Sequence, residues 1–359
     1  MRRTLPLLAA LALLLTGCSG LPRPREMGDM ALLRTMGVDL GEEGLSVTVS
    51  TGPRAKGLQG EGESALVLSA QGESLSDAAL TLQSLSDSYV FFGYVDQLLL
   101  GEELAGAGVT QVLDYFARDV ELGLGAQLWV VRDASAQQAV EAGGDQGVEG
   151  RLSTLRLDGE MGIAALARTA GEVYTDLLEQ GSAYLPALRP GTEEQAVLLE
   201  AGYAVLKGDT LAGFLDGDGA RGLELLVGKP SSDIIPVELE GETVYVRITG
   251  GDTTCRLETE GGQVTGLTVA CRVTAQLAEY RTQPNRNQLQ TVEEELTRVE
   301  TARLTRALTQ LRAWGADCAG LGVRSALSAP EAWRQVKGNW SEWFASLAPN
   351  LEVQVDIQD

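Results

Sequence analysis

The stretch YVFFGYVDQLLLGEELAGAGVTQVLDYFARDVELGLGAQLWVV, residues 89–131, decides the fold class. Tyr89 to Leu100 is an apolar run with the composition of a strand. From Gly101 to Ala117, Leu104, Val109, Val112, Leu113 and Phe116 recur at helical spacing. Gly125 to Val131 then returns to a short apolar run, a second strand. A strand, a crossover helix and a second strand form a βαβ unit, which predicts a parallel pairing in a covered sheet.

Upstream, Ala31–Val38 and Leu45–Ser50 read as strands around the turn 39–44, followed by a Gly-rich loop over 52–62. A strand is expected at Ala65–Ala70, then a helix from Ser74 with Ser76 or Asp77 near its cap. Leu75, Ala79, Leu82 and Leu85 mark its buried stripe. Downstream, Asp133-Ala134-Ser135 caps a helix that ends at the glycines of 143–150, and a long helix is expected from about Met161 to Glu179. Pro186 to Glu194, with Pro190-Gly191, is the candidate domain boundary.

Beyond that boundary the pattern shifts to antiparallel strands. Ala201–Lys207 and Thr210–Leu215 flank Gly208-Asp209, a hairpin signal. Strands are expected at Leu223–Val227, Ile234–Leu239, Thr243–Thr249, Thr253–Glu260 and Val264–Ala278. Leu289 to Trp314 is a long helix with Val292, Leu296, Leu304, Leu308 and Leu311 on one stripe. A shorter helix over Ala329–Trp343 and a closing strand over Leu351–Ile357 complete the chain. The expected class is α+β. It comprises a mixed α/β domain over 18–190 containing the βαβ unit, and an antiparallel sheet packed on a long helix over 191–359.

The N-terminus carries a different signal. Arg2 and Arg3 precede the apolar run Leu5–Leu15, which is shorter than the roughly 20 residues a membrane span needs. Leu14-Leu15-Thr16-Gly17-Cys18 then places small residues directly before a cysteine. This is the pattern at which bacterial lipoprotein processing acylates the thiol and cuts before it, making 1–17 the signal peptide and Cys18 the lipidation site. An ordinary signal peptide, cut a few residues later, is the alternative. Pro22-Arg23-Pro24-Arg25 follows as a stiff, locally basic stalk or a disordered start to the mature chain.

The formal net charge is −22, so the chain should be repelled by nucleic acid and by anionic headgroups. Membrane attachment must then come from acyl chains, and two on one cysteine suffice. The chain contains no histidine, which excludes a Ser-His-Asp triad, a Cys-His dyad and a His-based zinc site. Apart from Cys18 the chain holds Cys255, Cys271 and Cys318; Cys255 and Cys271 lie on adjacent expected strands, as a disulfide or as buried thiols. Asp216-Gly217-Asp218-Gly219 resembles the start of a calcium loop but lacks its third acidic ligand and closing Glu, so it reads as a turn. Glu102-Glu103 and Asp114 with Asp119 read as solvated acidic faces. No phosphate-binding glycine fingerprint and no nucleophile elbow is present. Trp333, Trp340, Trp343 and Phe344 gather aromatic mass, read as core before interface. No catalytic, cofactor or metal residues are assigned.

Several segments in order resemble the Ger(x)C family of spore germination lipoproteins, the C subunits of nutrient germinant receptors. After Cys18 these are 26–31 with Gly37-Val38-Asp39, then Gly101 to Ala105, then Asp114 to Asp119. The paired stretches 202–207 and 211–216 follow, with Arg221-Gly222-Leu223, Asp317 to Gly322 and Trp340 to Phe344. Ser19 stands where the family often has Trp, and Gly93-Tyr94 where it usually has Gly-His. The resemblance implies a non-enzymatic, lipid-anchored subunit on the outer face of the spore inner membrane. It implies partners in a polytopic subunit and a transporter-like subunit, and a response to nutrients such as amino acids or sugars. A solute-binding lipoprotein feeding a transporter is the second reading, and a cell-envelope hydrolase using paired carboxylates the third.

Overall fold

The strand Gln97–Gly101 (β6) is buried at every position, because it lies inside a sheet with a core on each face. Leu98 and Leu100 point into one core, Leu99 into the other, following the two-residue alternation of a strand. The structure, a computed structural model, describes residues 30–42, 44–53, 64–192 and 196–358. β6 pairs in parallel with Thr35–Gly41 (β2) and with Gln127–Val131 (β7), so the expected parallel unit is present.

Gly44–Ser50 (β3) and Val67–Gly72 (β4) extend the sheet antiparallel on one side. Ser182–Pro190 (β8), Leu198–Lys207 (β9) and Thr210–Leu215 (β10) extend it on the other, giving eight strands in the order β10-β9-β8-β7-β6-β2-β3-β4. Met30–Leu32 (β1) and Tyr89–Phe91 (β5) form a separate parallel pair. The run 89–100 is thus two strands, with Val95 turning the chain back to Phe92 between them.

One face of this sheet is covered by Leu75–Leu85 (α1), Glu102–Ala107 (α2), Thr110–Arg118 (α3) and Ala170–Gln180 (α6). The other is covered by Ala136–Glu141 (α4) and Glu149–Glu160 (α5). Helix α1 starts at Ser74, whose side chain accepts from the Asp77 amide. Ser135 caps α4 with a full capping box to Gln138.

Two helical expectations in the first half are corrected. The crossover over 101–117 is two helices, because the hairpin turn supplies the cap that splits it: Val109 N donates to Asp209 O and Thr110 N to Asp209 Oδ1. The helix expected over 161–179 is α5 ending at Glu160 and α6 starting at Ala170. Between them Ala165 N and Leu166 N turn to Glu200 and Tyr203, and Thr169 restarts the helix through a capping box with Glu172.

The second half forms a four-stranded sheet from Ile234–Leu239 (β11), Glu242–Glu260 (β12), Gln263–Glu279 (β13) and Asn350–Gln358 (β14). Arg286–Trp314 (α8) lies across it, with Val292, Leu296, Leu304, Leu308 and Leu311 in the same core as Val246, Ile248, Val269 and Val273. The strands expected separately at 243–249 and 253–260 are one long β12, bent by register shifts near Gly250. β14 pairs in parallel with β13, unlike the remainder of the sheet, because α8 and the helices after it carry the chain back to the end where β13 began.

Leu223–Val227, expected as a strand, is the last turn and C-cap of the helix Gly217–Leu226 (α7), and Asp216-Gly217-Asp218-Gly219 opens that helix rather than forming a strand-to-strand turn. Three glycines give α7 poor intrinsic propensity. Burial decides it: Leu223, Leu225 and Leu226 enter the core, and Gly222 lets α7 touch α8, since a Cβ there would stand 2.1 Å from Arg303 O. Leu321–Ser328 (α9), Pro330–Val336 (α10) and Trp340–Ser346 (α11) close the domain, so the helix expected over 329–343 is α10 and α11 joined by a short 3-10 turn.

The sheet crosses the expected boundary at residues 190 and 191, since β8 pairs with β9 over Ser182–Pro190. Tyr184, Tyr203, Val205 and Leu215 of these far strands enter the core of the second half. The two halves therefore share packing.

Candidate functional site

Cys18, the lipidation site expected from the sequence, lies outside the described residues, as do the leader and residues 26–29. Among the described residues, the stretches that carry the sequence resemblance pair off in space.

The first pair is Gly37-Val38-Asp39 with Gly101–Ala105. β2 and β6 are parallel neighbours, so both stretches emerge at the carboxyl end of the sheet. Asp39 accepts from Ala136 N at 2.7 Å and Gln137 N at 2.8 Å, fixing the start of α4 over the strand ends. Burial pushes the Asp39 carboxyl above its ordinary range, with the two amide donors opposing that shift. A Cβ at Gly101 would fall 2.0 Å from Asp39 Oδ1, so glycine there leaves the carboxylate room to hold both amides. Glu102 accepts from Asp133 N at 2.7 Å and holds the loop between β7 and α4.

Asp39, Glu102 and Asp133 line a cavity of about 680 Å³ with Glu103, Ser135, Gln138 and Leu211. Ligand crevices in parallel sheets form at this end of the strands. Here Asp39 and Glu102 accept from backbone donors that build the cleft walls. Glu102-Glu103 is thus partly structural rather than wholly a solvated face. Asp114 accepts from Tyr174 OH, and Asp119 caps Glu121 N and Leu122 N.

The second pair is the 202–207 and 211–216 hairpin with Arg221-Gly222-Leu223. Tyr203 is fully buried; its hydroxyl donates to Glu224 Oε1 at 2.9 Å and accepts from Leu166 N at 2.7 Å. Arg221 Nη1 donates to both Glu224 oxygens at 3.0–3.1 Å, and Ser231 N donates to Oε2 at 3.2 Å. A carboxylate buried to 1% exposure is tolerable only with such a set of partners. Arg303 similarly joins Glu300 at 3.1 Å and Asp233 at 2.6 Å at the α7–α8 contact.

The third pair is Asp317–Gly322 with Trp340–Phe344. Asp317 accepts from Leu321 N at 2.9 Å, Gly322 N at 2.8 Å and Trp340 Nε1 at 2.8 Å. Burial raises its pKa above the ordinary carboxylate value despite these donors. Trp340 packs edge-on to Trp333 and stacks on Trp343 and Phe344, which makes this aromatic group core.

The three described cysteines are free and buried. Cys255 faces Val269 and Cys271 faces Thr253 across β12 and β13, so the two thiols are out of register for a disulfide. Burial pushes all three thiols above their ordinary pKa. Among the described residues, no group of three or more His, Cys, Asp or Glu side chains could hold a metal ion, and no helix is long and apolar enough to cross a membrane.

Nothing in the local pattern singles out Asp39, Asp317 or Gly222 from the stretches that contain them. The role of each depends on partners between 4 and 98 positions away, which periodicity does not register.

Residues 23–190 match the family of spore germination protein N-terminal domains. Residues 201–359 match the spore germination B3/GerAC-like C-terminal family. The chain is 23% identical over 319 residues to spore germination protein B3 of Bacillus subtilis (strain 168), covering 85% of this chain and 84% of that protein. Its fold is that of the GerBC protein crystal structure, with a TM-score of 0.61 at 18% identity, covering 90% of this chain and 97% of that one.

Proposed function

This chain belongs to the Ger(x)C family of spore germination proteins, and from that premise we propose that it is the lipid-anchored C subunit of a nutrient germinant receptor. The observation that carries the reading is the run of two family domains over 23–190 and 201–359, directly behind the lipoprotein pattern that ends at Cys18. In this reading Cys18 carries the diacylglycerol thioether and holds the protein on the outer face of the spore inner membrane. With a formal net charge of −22 over the full sequence the protein gains nothing from anionic headgroups, so the acyl chains provide the attachment.

The subunit acts without catalysis, through contacts with a polytopic and a transporter-like membrane subunit. The buried carboxylates of Glu224 and Asp317 support this reading, because both oxygens of each are spent on holding elements together. A solute-binding lipoprotein is disfavoured, since that class usually sets two related α/β lobes about a hinge. The two sheets here differ in strand number and pairing.

Deleting the gene should abolish germination toward at least one nutrient, and the protein should co-purify from spores with integral membrane partners. Cys18→Ala should move it from the membrane to the soluble fraction and reproduce the deletion. Normal germination of the deletion strain toward every nutrient tested would overturn the reading.

A further inference from the structure

The chain has four lysines against 50 acidic residues: Lys56, Lys207, Lys229 and Lys337. Two of these four, 130 positions apart, line one cavity of about 630 Å³. Lys207 ends β9 at the hairpin turn, and Lys337 begins the 3-10 turn between α10 and α11. Among the described residues, neither ammonium has an ion-pair or hydrogen-bond partner, unlike Arg34, Arg132, Arg168, Arg221 and Arg303. Two unpaired cations from distant segments thus meet at one cavity and make a locally positive site in an acidic chain.

The remaining lining supplies donors of the same kind. Ser182 is buried to 3% exposure and its Oγ has no partner among the described residues. Asn339 is exposed on the rim, and its side chain makes no capping bond to α11. Trp340 contributes an aromatic surface. Asp317 is also in the wall, but its oxygens are taken by Leu321 N, Gly322 N and Trp340 Nε1. Glu342, exposed at the rim, is the one opposing charge free to compete.

We propose that this cavity binds the phosphate group of a small soluble phosphate ester, with Lys207 and Lys337 as its charge partners. Two ammonium groups, a hydroxyl and an amide suit the oxygens of a phosphate better than the two of a carboxylate, and lysine serves as a point charge for phosphate. The volume exceeds that of the phosphate alone and leaves room for an organic part against Trp340. The proposal does not depend on the receptor reading, because it rests on charge and cavity alone.

The test is a titration of the full chain in detergent with glycerol phosphate, followed by tryptophan fluorescence and calorimetry, with succinate as the carboxylate comparison. Saturable binding is expected, weaker at high salt, reduced at least tenfold by Lys207→Gln or Lys337→Gln and unchanged by Lys229→Gln. Glu342→Gln should tighten it. Both lysines are exposed, so the variants should melt like the parent; Lys207→Arg and Lys337→Arg, which keep the charge, should retain binding. No saturable binding at millimolar ester, binding that survives the double Gln variant, or equal affinity for succinate would each overturn the proposal. So would capture by phosphatidylglycerol vesicles with no binding of the soluble ester, which would assign the site to a lipid headgroup.

Discussion

The two sheets of this protein solve burial in opposite ways. β6 and most of β7 are buried on both faces, whereas β11 alternates exposed and buried residues along its whole length. Helices cover both sides of the first sheet, while α8 and its successors cover one side of the second and leave the other to water. A change in a central strand of the first sheet therefore reaches a core whichever way it points. In the second, neighbouring residues differ sharply in what they carry.

The most damaging way to test that contrast is Trp129→Ala in β7. The side chain is 1% exposed and its indole donates to Gln97 Oε1 at 2.9 Å. Loss of roughly 3–5 kcal/mol is expected from the cavity, with a further cost for the stranded amide. Urea unfolding followed by circular dichroism would measure it. Arg303→Met tests the second half where it is least like a one-sided sheet. It leaves Glu300, at 1% exposure, without its cation and should cost about 3 kcal/mol in the same assay.

Gly222→Ala should cost about 1–3 kcal/mol, as overpacking does, by forcing α7 off Arg303 O on α8. Asp317→Asn should alter the pH profile as well as the stability. The folded-state pKa of Asp317 is raised, so the folded chain holds its proton more firmly than the unfolded chain does. The stability it contributes is then greatest below the ordinary value of 3.8 and declines as pH rises through the folded-state value. Midpoints measured upward from pH 3.5 should fall less steeply in the variant, and an unchanged slope would show that Asp317 is not the group titrating. Glu331→Ala, in an exposed ion pair with Arg334, should shift the midpoint by less than about 0.5 kcal/mol.

The same contrast explains which elements were readable. The parallel pairing of β6 and β7, the hairpin at Gly208-Asp209 and the long helix ending at Trp314 each declare themselves within a window of local pattern. So does the capping box at Ser135. Helix α7 did not, because a run with glycine at 217, 219 and 222 has weak local preference and folds as a helix only against α8. The break between α2 and α3 was hidden for a related reason, since the cap comes from Asp209, 99 positions from Thr110. For the candidate site, the family stretches were visible one by one, but their meeting at Asp39, Glu224 and Asp317 was not.

The sequence by itself determined the lipoprotein pattern at Cys18, the excess of negative charge, the exclusion of histidine chemistry and the α+β class, all properties of composition or short spacing. Tertiary structure alone decided that β8, β9 and β10 complete the first sheet and that the second half borrows their outer face as core. It also decided that Lys207 and Lys337 share a cavity. These arrangements rest on contacts between distant segments, whose energy comes from burial and charge pairing that no local window contains.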